Sequence, residues 1–152
     1  GPIDPMISPT DNGPDIRPFN SVQDHAAVVA LWNAVLGYGS AHNAPELSIR
    51  KKLEVDDGLF FVAETAGRLA GTVMAGYDGH RGWIYSLAVD PACRKQGIGR
   101  ALLRRAEEAL HGRGCVKINL QIADGNEGVI GFYEKTGYKI EPRTSMGKLL
   151  LK

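Results

Sequence analysis

Arg94-Lys95-Gln96-Gly97-Ile98-Gly99-Arg100-Ala101 joins an apolar run, Trp83 to Val89, to a segment where Ile98, Ala101, Leu102, Ala106, Ala109 and Leu110 recur at steps of three and four. The spacing predicts a strand, a glycine-bearing loop and then a helix that Gly112 and Gly114 end. Glycine lets backbone N–H groups approach a ligand without Cβ interference, and the start of a helix carries a partial positive charge. The stretch therefore reads as a cradle for a pyrophosphate. Arg94, Lys95, Arg100, Arg104 and Arg105 are the nearby cations for further phosphate groups, although a solvated helix face accounts equally well for Arg104 and Arg105.

Spacing decides among nucleotide-binding folds. A dinucleotide fingerprint needs a third Gly or Ala where Leu102 stands, after the first strand of the chain, and a P-loop needs Gly-Lys-Ser/Thr; the sequence has neither. Arg94 to Gly99 instead resembles the Arg/Gln-x-x-Gly-x-Gly/Ala motif of the GNAT superfamily of acyl-CoA N-acyltransferases. A second block, Asn126-Glu127-Gly128-Val129-Ile130-Gly131-Phe132-Tyr133-Glu134-Lys135-Thr136-Gly137-Tyr138, resembles that superfamily's Asn-x-x-Ala-x-x-Phe/Leu-Tyr-x-x-x-Gly-Phe/Tyr pattern. More narrowly, Gly71-Thr72-Val73-Met74, Gly76 to Gly82 and Arg113-Gly114-Cys115 resemble the bacterial YpeA-type acetyltransferases, alongside RimI-like motifs.

The resemblance implies roles for individual positions. Leu87, Ala88 and Val89 match the strand segment that runs beside the pantetheine arm, with a local splay that opens a slot for the thioester. Lys95, Gln96, Gly97, Ile98, Gly99 and Arg100, preceded by Arg94, match the pyrophosphate loop. Asn126 matches the residue that contacts the cofactor arm, and Tyr133 the tyrosine near the thioester sulfur. The plainer readings are a helix cap for Asn126 and a core aromatic for Tyr133.

Working outward from the decisive stretch, Ile16–Pro18 reads as a short strand, Ser21–Leu36 as a helix with Ser21 and Asp24 near its start, and Ser48–Leu53 as a second helix ended by Asp56-Asp57-Gly58. Leu59–Glu64 and Arg68–Tyr77 form a hairpin about Ala66-Gly67, and a third antiparallel strand runs to Val89, where Pro91 stops it. Val116–Ile122 reads as a strand. A capping box of Asp124 and Glu127 opens a helix closing at Gly137, and a last strand covers Tyr138–Ile140 and continues past a turn at Pro142–Ser145. The fold class is α/β (α+β): a single GNAT domain over 16–152, with a mixed, mostly antiparallel sheet of about six to seven strands flanked by about four helices.

Composition narrows the class. Nineteen glycines among 152 residues exceed the usual share of roughly 7%, yet they follow no period and proline is not abundant, so they are positional. Lys and Arg number 18 against 17 Asp and Glu, which argues against bulk nucleic-acid binding. Cys93 and Cys115 are too far apart for a metal or redox CxxC and too few for a disulfide framework, so free thiols, a reducing cytoplasmic setting and no metal are expected. No run approaches a membrane span. Residues 1–5, ahead of Met6, read as a leftover tag scar, and 1–15 as a flexible arm. Pairing of an exposed sheet edge into a homodimer is the expected mode of any self-association.

The resemblance implies transfer of an acetyl group from acetyl-CoA to a primary amine by direct attack in a ternary complex; the alternative is a CoA-binding regulatory module with little turnover. Such chemistry needs a neutral amine, a donor for the developing oxyanion and a proton for the departing thiolate. Tyr133 suits the last role, and a backbone N–H of Leu87–Val89 the second. The base is not evident. Where RimI-like relatives carry a glutamate, this chain has Gln121, and Trp83 and Tyr85 occupy the central-strand face that holds an acid or histidine elsewhere. Glu46, His42 and His80 are loop candidates, a water chain is an equal one, and Cys93 as acyl carrier fits poorly beside the phosphate end. For the unidentified acceptor, the loop Tyr38–Pro45 and the turn Asp78–Arg81 are the variable regions, with Tyr38, Asn43, Glu46 and Tyr85 as candidate contacts.

Overall fold

Five strands lie side by side in chain order: β1 (Asp15–Pro18), β2 (Phe60–Thr65), β3 (Arg68–Tyr77), β4 (Gly82–Val89) and β5 (Ile118–Leu120). The first four pair antiparallel, and β5 joins β4 in parallel. A parallel neighbour requires a crossover connection, and α3 (Ile98–Gly112) supplies it. The computed structural model describes residues 13–37 and 44–150. The chain divides into two compact units, residues 1–120 and 121–152.

In the first unit, α1 (His25–Val35) and α2 (Pro45–Val55) share a core with one face of the sheet: Val28, Leu31, Trp32 and Ile49 meet Phe60, Val62, Met74 and Ala88. Phe19, Phe60 and Trp32 stack in series, with ring centroids 4.2 and 5.8 Å apart. The opposite face receives α3, whose buried stripe is Ile98, Leu102, Leu103, Ala106 and Leu110. That helix approaches closely because β3 and β4 each offer a glycine. A Cβ on Gly71 would stand 2.8 Å from the Ala88 carbonyl oxygen and 2.9 Å from Leu102 Cδ1, and one on Gly82 2.7 Å from Cys115 Sγ.

Helix ends follow local chemistry. Pro45 occupies the first turn of α2, where its missing N–H costs nothing, and Asp56 ends the helix in the left-handed region at φ 54°, so α2 is longer than Ser48–Leu53. The start of α1 is organised differently from expectation. Asn20 Oδ1 accepts from the Val22 and Gln23 N–H groups. Asp24, expected to cap, instead binds Arg17 through both oxygens at 2.7 and 2.8 Å and accepts from the Asn20 N–H. Arg17 also reaches Glu64 at 3.1 Å, which ties β1 to β2 and to the entry of α1.

In the second unit, a 3-10 turn at Glu127–Val129 leads into α4 (Ile130–Lys135). The capping box does not form: Glu127 accepts from the Gly125 N–H at 2.8 Å, and the Asn126 side chain makes no cap bond. Residues 138–150 form no helix or strand, and β5 is shorter than Val116–Ile122, so among the described residues the sheet has five strands where six to seven were expected. A strand exists only as half of a ladder, and the brief alternation of Tyr138-Lys139-Ile140 ahead of Pro142 does not define a partner. The four α-helices among the described residues agree with expectation.

Candidate active site

The feature that breaks the regularity of the sheet lies in the middle of β4. Thr72 faces Ala88 and Met74 faces Tyr85, so Val73 alone opposes Ser86 and Leu87, a β-bulge. Ser86 takes φ 53°, a left-handed conformation that a residue with a Cβ adopts at a cost of about 1–2 kcal/mol. β5 accompanies β4 only from Gly82 to Ile84 and ends before the bulge. Among the described residues no strand pairs with that edge of β4 from Leu87 to Val89, which suits an extended, amide-bearing chain. Leu87 and Val89 are half-buried, and Ala88 is buried toward α1.

β4 leads straight into the glycine loop. Asp90 accepts from the Ala92 N–H at 2.9 Å and caps a 3-10 turn, Pro91–Cys93, whose Cys93 is buried. Arg94, Lys95, Gln96 and Gly97 are exposed. Lys95 (φ 65°) and Gly97 (φ 77°) both take left-handed backbone, and Gly97 is the residue before α3. Apart from the adjoining loop and helix backbone, no atom of the described residues lies within 4 Å of where a Gly97 Cβ would stand, so the space there is open to an anion. Among the described residues no ion pair engages Arg94, Lys95, Arg100 or Arg104. Arg100, Arg104 and Arg105 line a groove of about 340 Å³ between α3 and Ile16, and the Arg105 guanidinium also lies 4.5 Å over the Phe61 ring.

In the second unit, Tyr133 packs edge-on against Phe132 and Tyr138, with centroids 5.1 and 5.7 Å away. Burial pushes its phenol above the ordinary tyrosine value. The Asn126 side chain is exposed and caps nothing, which removes the capping role as its explanation. Gln121 is exposed and donates to Ser145 Oγ at 2.7 Å.

The loop candidates separate. His80 is exposed in the β3–β4 turn, where Asp78 accepts from the His80 and Arg81 N–H groups at 2.7 Å; those bonds hold the Asp78 carboxyl below its ordinary value. That turn is remote from the bulge, since Gly82 to Ser86 alone spans about 13 Å of strand. Glu46 is exposed in the first turn of α2, where the helix dipole favours an acid. Tyr38, His42 and Asn43 lie outside the described residues. Trp83 and Tyr85 are partly exposed, and the buried Lys52 ammonium sits 5.5 Å from the Tyr85 ring centroid, bound to Asp57 at 2.9 Å and to the Ala75 carbonyl. Sequence reasoning missed Thr72 and Trp32 on the other side of the bulge, for which no motif signals.

The model of the Acetyltransferase (GNAT) family matches residues 26–138. The chain belongs to this family. A protein called Acetyltransferase ECA0875, from Pectobacterium atrosepticum, is 44% identical over 137 residues, covering 90% of this chain and 96% of its own. Among solved structures, Ard1 from Thermoplasma volcanium aligns with a TM-score of 0.74 at 24% identity, over 85% of this chain and 84% of its own. The paiA N-acetyltransferase of Thermoplasma acidophilum, solved in complex with coenzyme A, aligns at 0.72 and 19% identity, over 87% and 93%. At those identities the two structures speak for the GNAT fold alone. Among the described residues no cluster of three His, Cys, Asp or Glu could hold a metal ion, and no helix is long and apolar enough to cross a membrane.

Proposed function

We propose that this GNAT protein transfers an acetyl group from acetyl-CoA to a primary amine by direct attack in a ternary complex. The observation that carries this reading is the continuity of the β4 bulge, the β4 edge beyond the end of β5 and the open left-handed Gly97 at the start of α3. Along one strand and one loop, a chain with amide groups and a terminal diphosphate meets backbone donors suited to each part. The bound acetyl-CoA supplies an activated acyl carbon and a thiolate leaving group.

Lys95 to Arg100 would hold the diphosphate through backbone N–H groups, with the Arg94, Lys95 and Arg100 charges around them. The edge of Leu87, Ala88 and Val89 would run beside the pantetheine arm, with Asn126 as a further contact taken from the motif match. An N–H of that segment donates to the carbonyl oxygen as charge grows there. The amine nitrogen forms the new C–N bond while the C–S bond breaks, and Tyr133 delivers its phenolic proton to the sulfur. Its raised value keeps that proton in place throughout the neutral range. Gln121 cannot take a proton, and we assign deprotonation of the amine to water. The reading extends to a bacterial, intracellular enzyme of YpeA-like type, a resemblance carried by Gly71–Met74, Gly76–Gly82 and Arg113–Cys115, with Tyr85 contacting the acceptor.

The test is thiol release from acetyl-CoA over a panel of small amines, amino acids and peptides. Turnover with at least one amine is expected. Tight CoA binding without thiol release for any acceptor would replace the enzyme with a CoA-binding module.

A further inference from the structure

The β4 bulge is held from the α1 side by two buried side chains. Thr72 is fully buried on β3, and its hydroxyl donates to the Ser86 carbonyl at 2.9 Å. The same hydroxyl accepts from the indole Nε1–H of Trp32, on α1, at 2.7 Å; Trp32 is also fully buried. A valine would fill the space of Thr72 and favour a strand at least as well. A buried hydroxyl is costly unless its donor and acceptor capacities are both used. Here both are used, and the acceptor it serves is the carbonyl of the one residue in β4 that leaves strand geometry.

We propose that Trp32 and Thr72 are positioning residues for acyl transfer. By fixing the Ser86 carbonyl they set the bulge, and the bulge sets the direction of the Leu87–Val89 backbone, one N–H of which serves as oxyanion donor. The inference rests on the acetyltransferase reading above and adds two residues to it. Neither touches the substrate; both act through the backbone of Ser86. The hydroxyl is what matters, so Thr72→Ser retains the relay and Thr72→Val removes it at nearly constant volume. Trp32→Phe removes the indole donor and keeps an aromatic ring against Phe60.

The experiment compares the parent protein with these three variants, each shown by thermal denaturation to be folded at the assay temperature. Thr72→Val should lower kcat about 100-fold, as a misdirected catalytic group does, with KM for acetyl-CoA within about threefold of the parent. Trp32→Phe should lower kcat about tenfold by the same misdirection, in weaker form. Thr72→Ser should recover most of kcat. In isotope-labelled protein the Ser86 Cα and carbonyl carbon resonances should move in Thr72→Val and stay in place in Thr72→Ser. A Thr72→Val variant with parental kcat and parental Ser86 resonances would overturn the relay, as would a Thr72→Ser variant as impaired as Thr72→Val. A parent that releases no thiol with any amine would sink the acetyltransferase reading instead, and the Ser86 resonances would still decide whether the relay holds the bulge. Should Thr72→Val not fold, Trp32→Phe carries the same two readouts.

Discussion

Adding one methyl group at Gly97 and at Gly71 should separate a glycine that serves the ligand from one that serves packing. Gly97 has φ 77° and open space around the position of a Cβ, so Gly97→Ala meets no steric clash. Its stability cost is conformational, about 1 kcal/mol for a left-handed alanine, or roughly 2–4 °C in Tm for a chain of this size. The methyl would, however, occupy the approach to the α3 N-terminus. CoA affinity should fall at least tenfold, a loss of about 1.4 kcal/mol in binding. Gly71 is the opposite case. Its Cβ would lie 2.8 Å from a backbone oxygen and 2.9 Å from a fully buried leucine methyl, neither of which can swing aside. Overpacking of this kind costs about 1–3 kcal/mol, so Gly71→Ala should lower Tm by roughly 2–12 °C. Below that Tm its CoA affinity should remain within about threefold. Calorimetric titration with CoA and thermal denaturation of both variants check the contrast. A Gly97→Ala protein that binds CoA within twofold of the parent would refute the cradle and leave Gly97 as a helix cap only.

Asp24→Ala should be among the most destabilising changes in the fold, by about 3 kcal/mol, because it leaves the half-buried Arg17 with Glu64 alone. Its pH dependence follows from Arg17, whose bonds hold the Asp24 carboxyl below its ordinary value. The stabilisation is complete above about pH 4 and fades as pH falls through the lower folded value; urea denaturation between pH 2 and 7 should show that slope in the parent and a flatter one in Asp24→Ala. Tyr133→Phe should reduce kcat by about 100-fold or more. Because burial raises the Tyr133 phenol, the proton it donates is lost only above about pH 10, and the alkaline limb of kcat should begin there. Unchanged turnover in Tyr133→Phe would remove Tyr133 as the acid.

The elements that carry strong local signals were legible in the sequence. The period of α3 and the glycines around it gave its limits within two residues of Ile98–Gly112, and the two motif blocks pointed to the family before any geometry was known. The bulge was legible only through the resemblance. Along β4, Gly82, Trp83, Ile84 and Tyr85 alternate between buried and exposed, and the alternation then slips so that Tyr85 and Ala88, three residues apart, both lie on the α1 side. A period-two pattern registers that slip only when the residues after it are large. Ser86 and Ala88 are small enough to suit either face, so the sequence is silent at the position where the strand changes register.

Trp32 and Thr72 were harder still to read, because each has a sufficient local explanation. A tryptophan on the apolar stripe of α1 is a core residue, and a threonine in β3 is a good strand former. What sets them apart is a pair of hydrogen bonds spanning 40 and 14 residues of sequence, and such separations leave no trace in local pattern. The strained residue marks them. Ser86 holds a left-handed conformation inside a strand, which persists only where surrounding groups over-determine it, and these two are among the groups that do so. At Ser86 the chain thus places conformational strain beside the proposed reacting centre and the compensating hydrogen bonds in the core. The carbonyl of Ser86 is where a change in the α1 core would reach the chemistry, and for that reason Trp32→Phe, remote from any substrate, should act on kcat and spare KM.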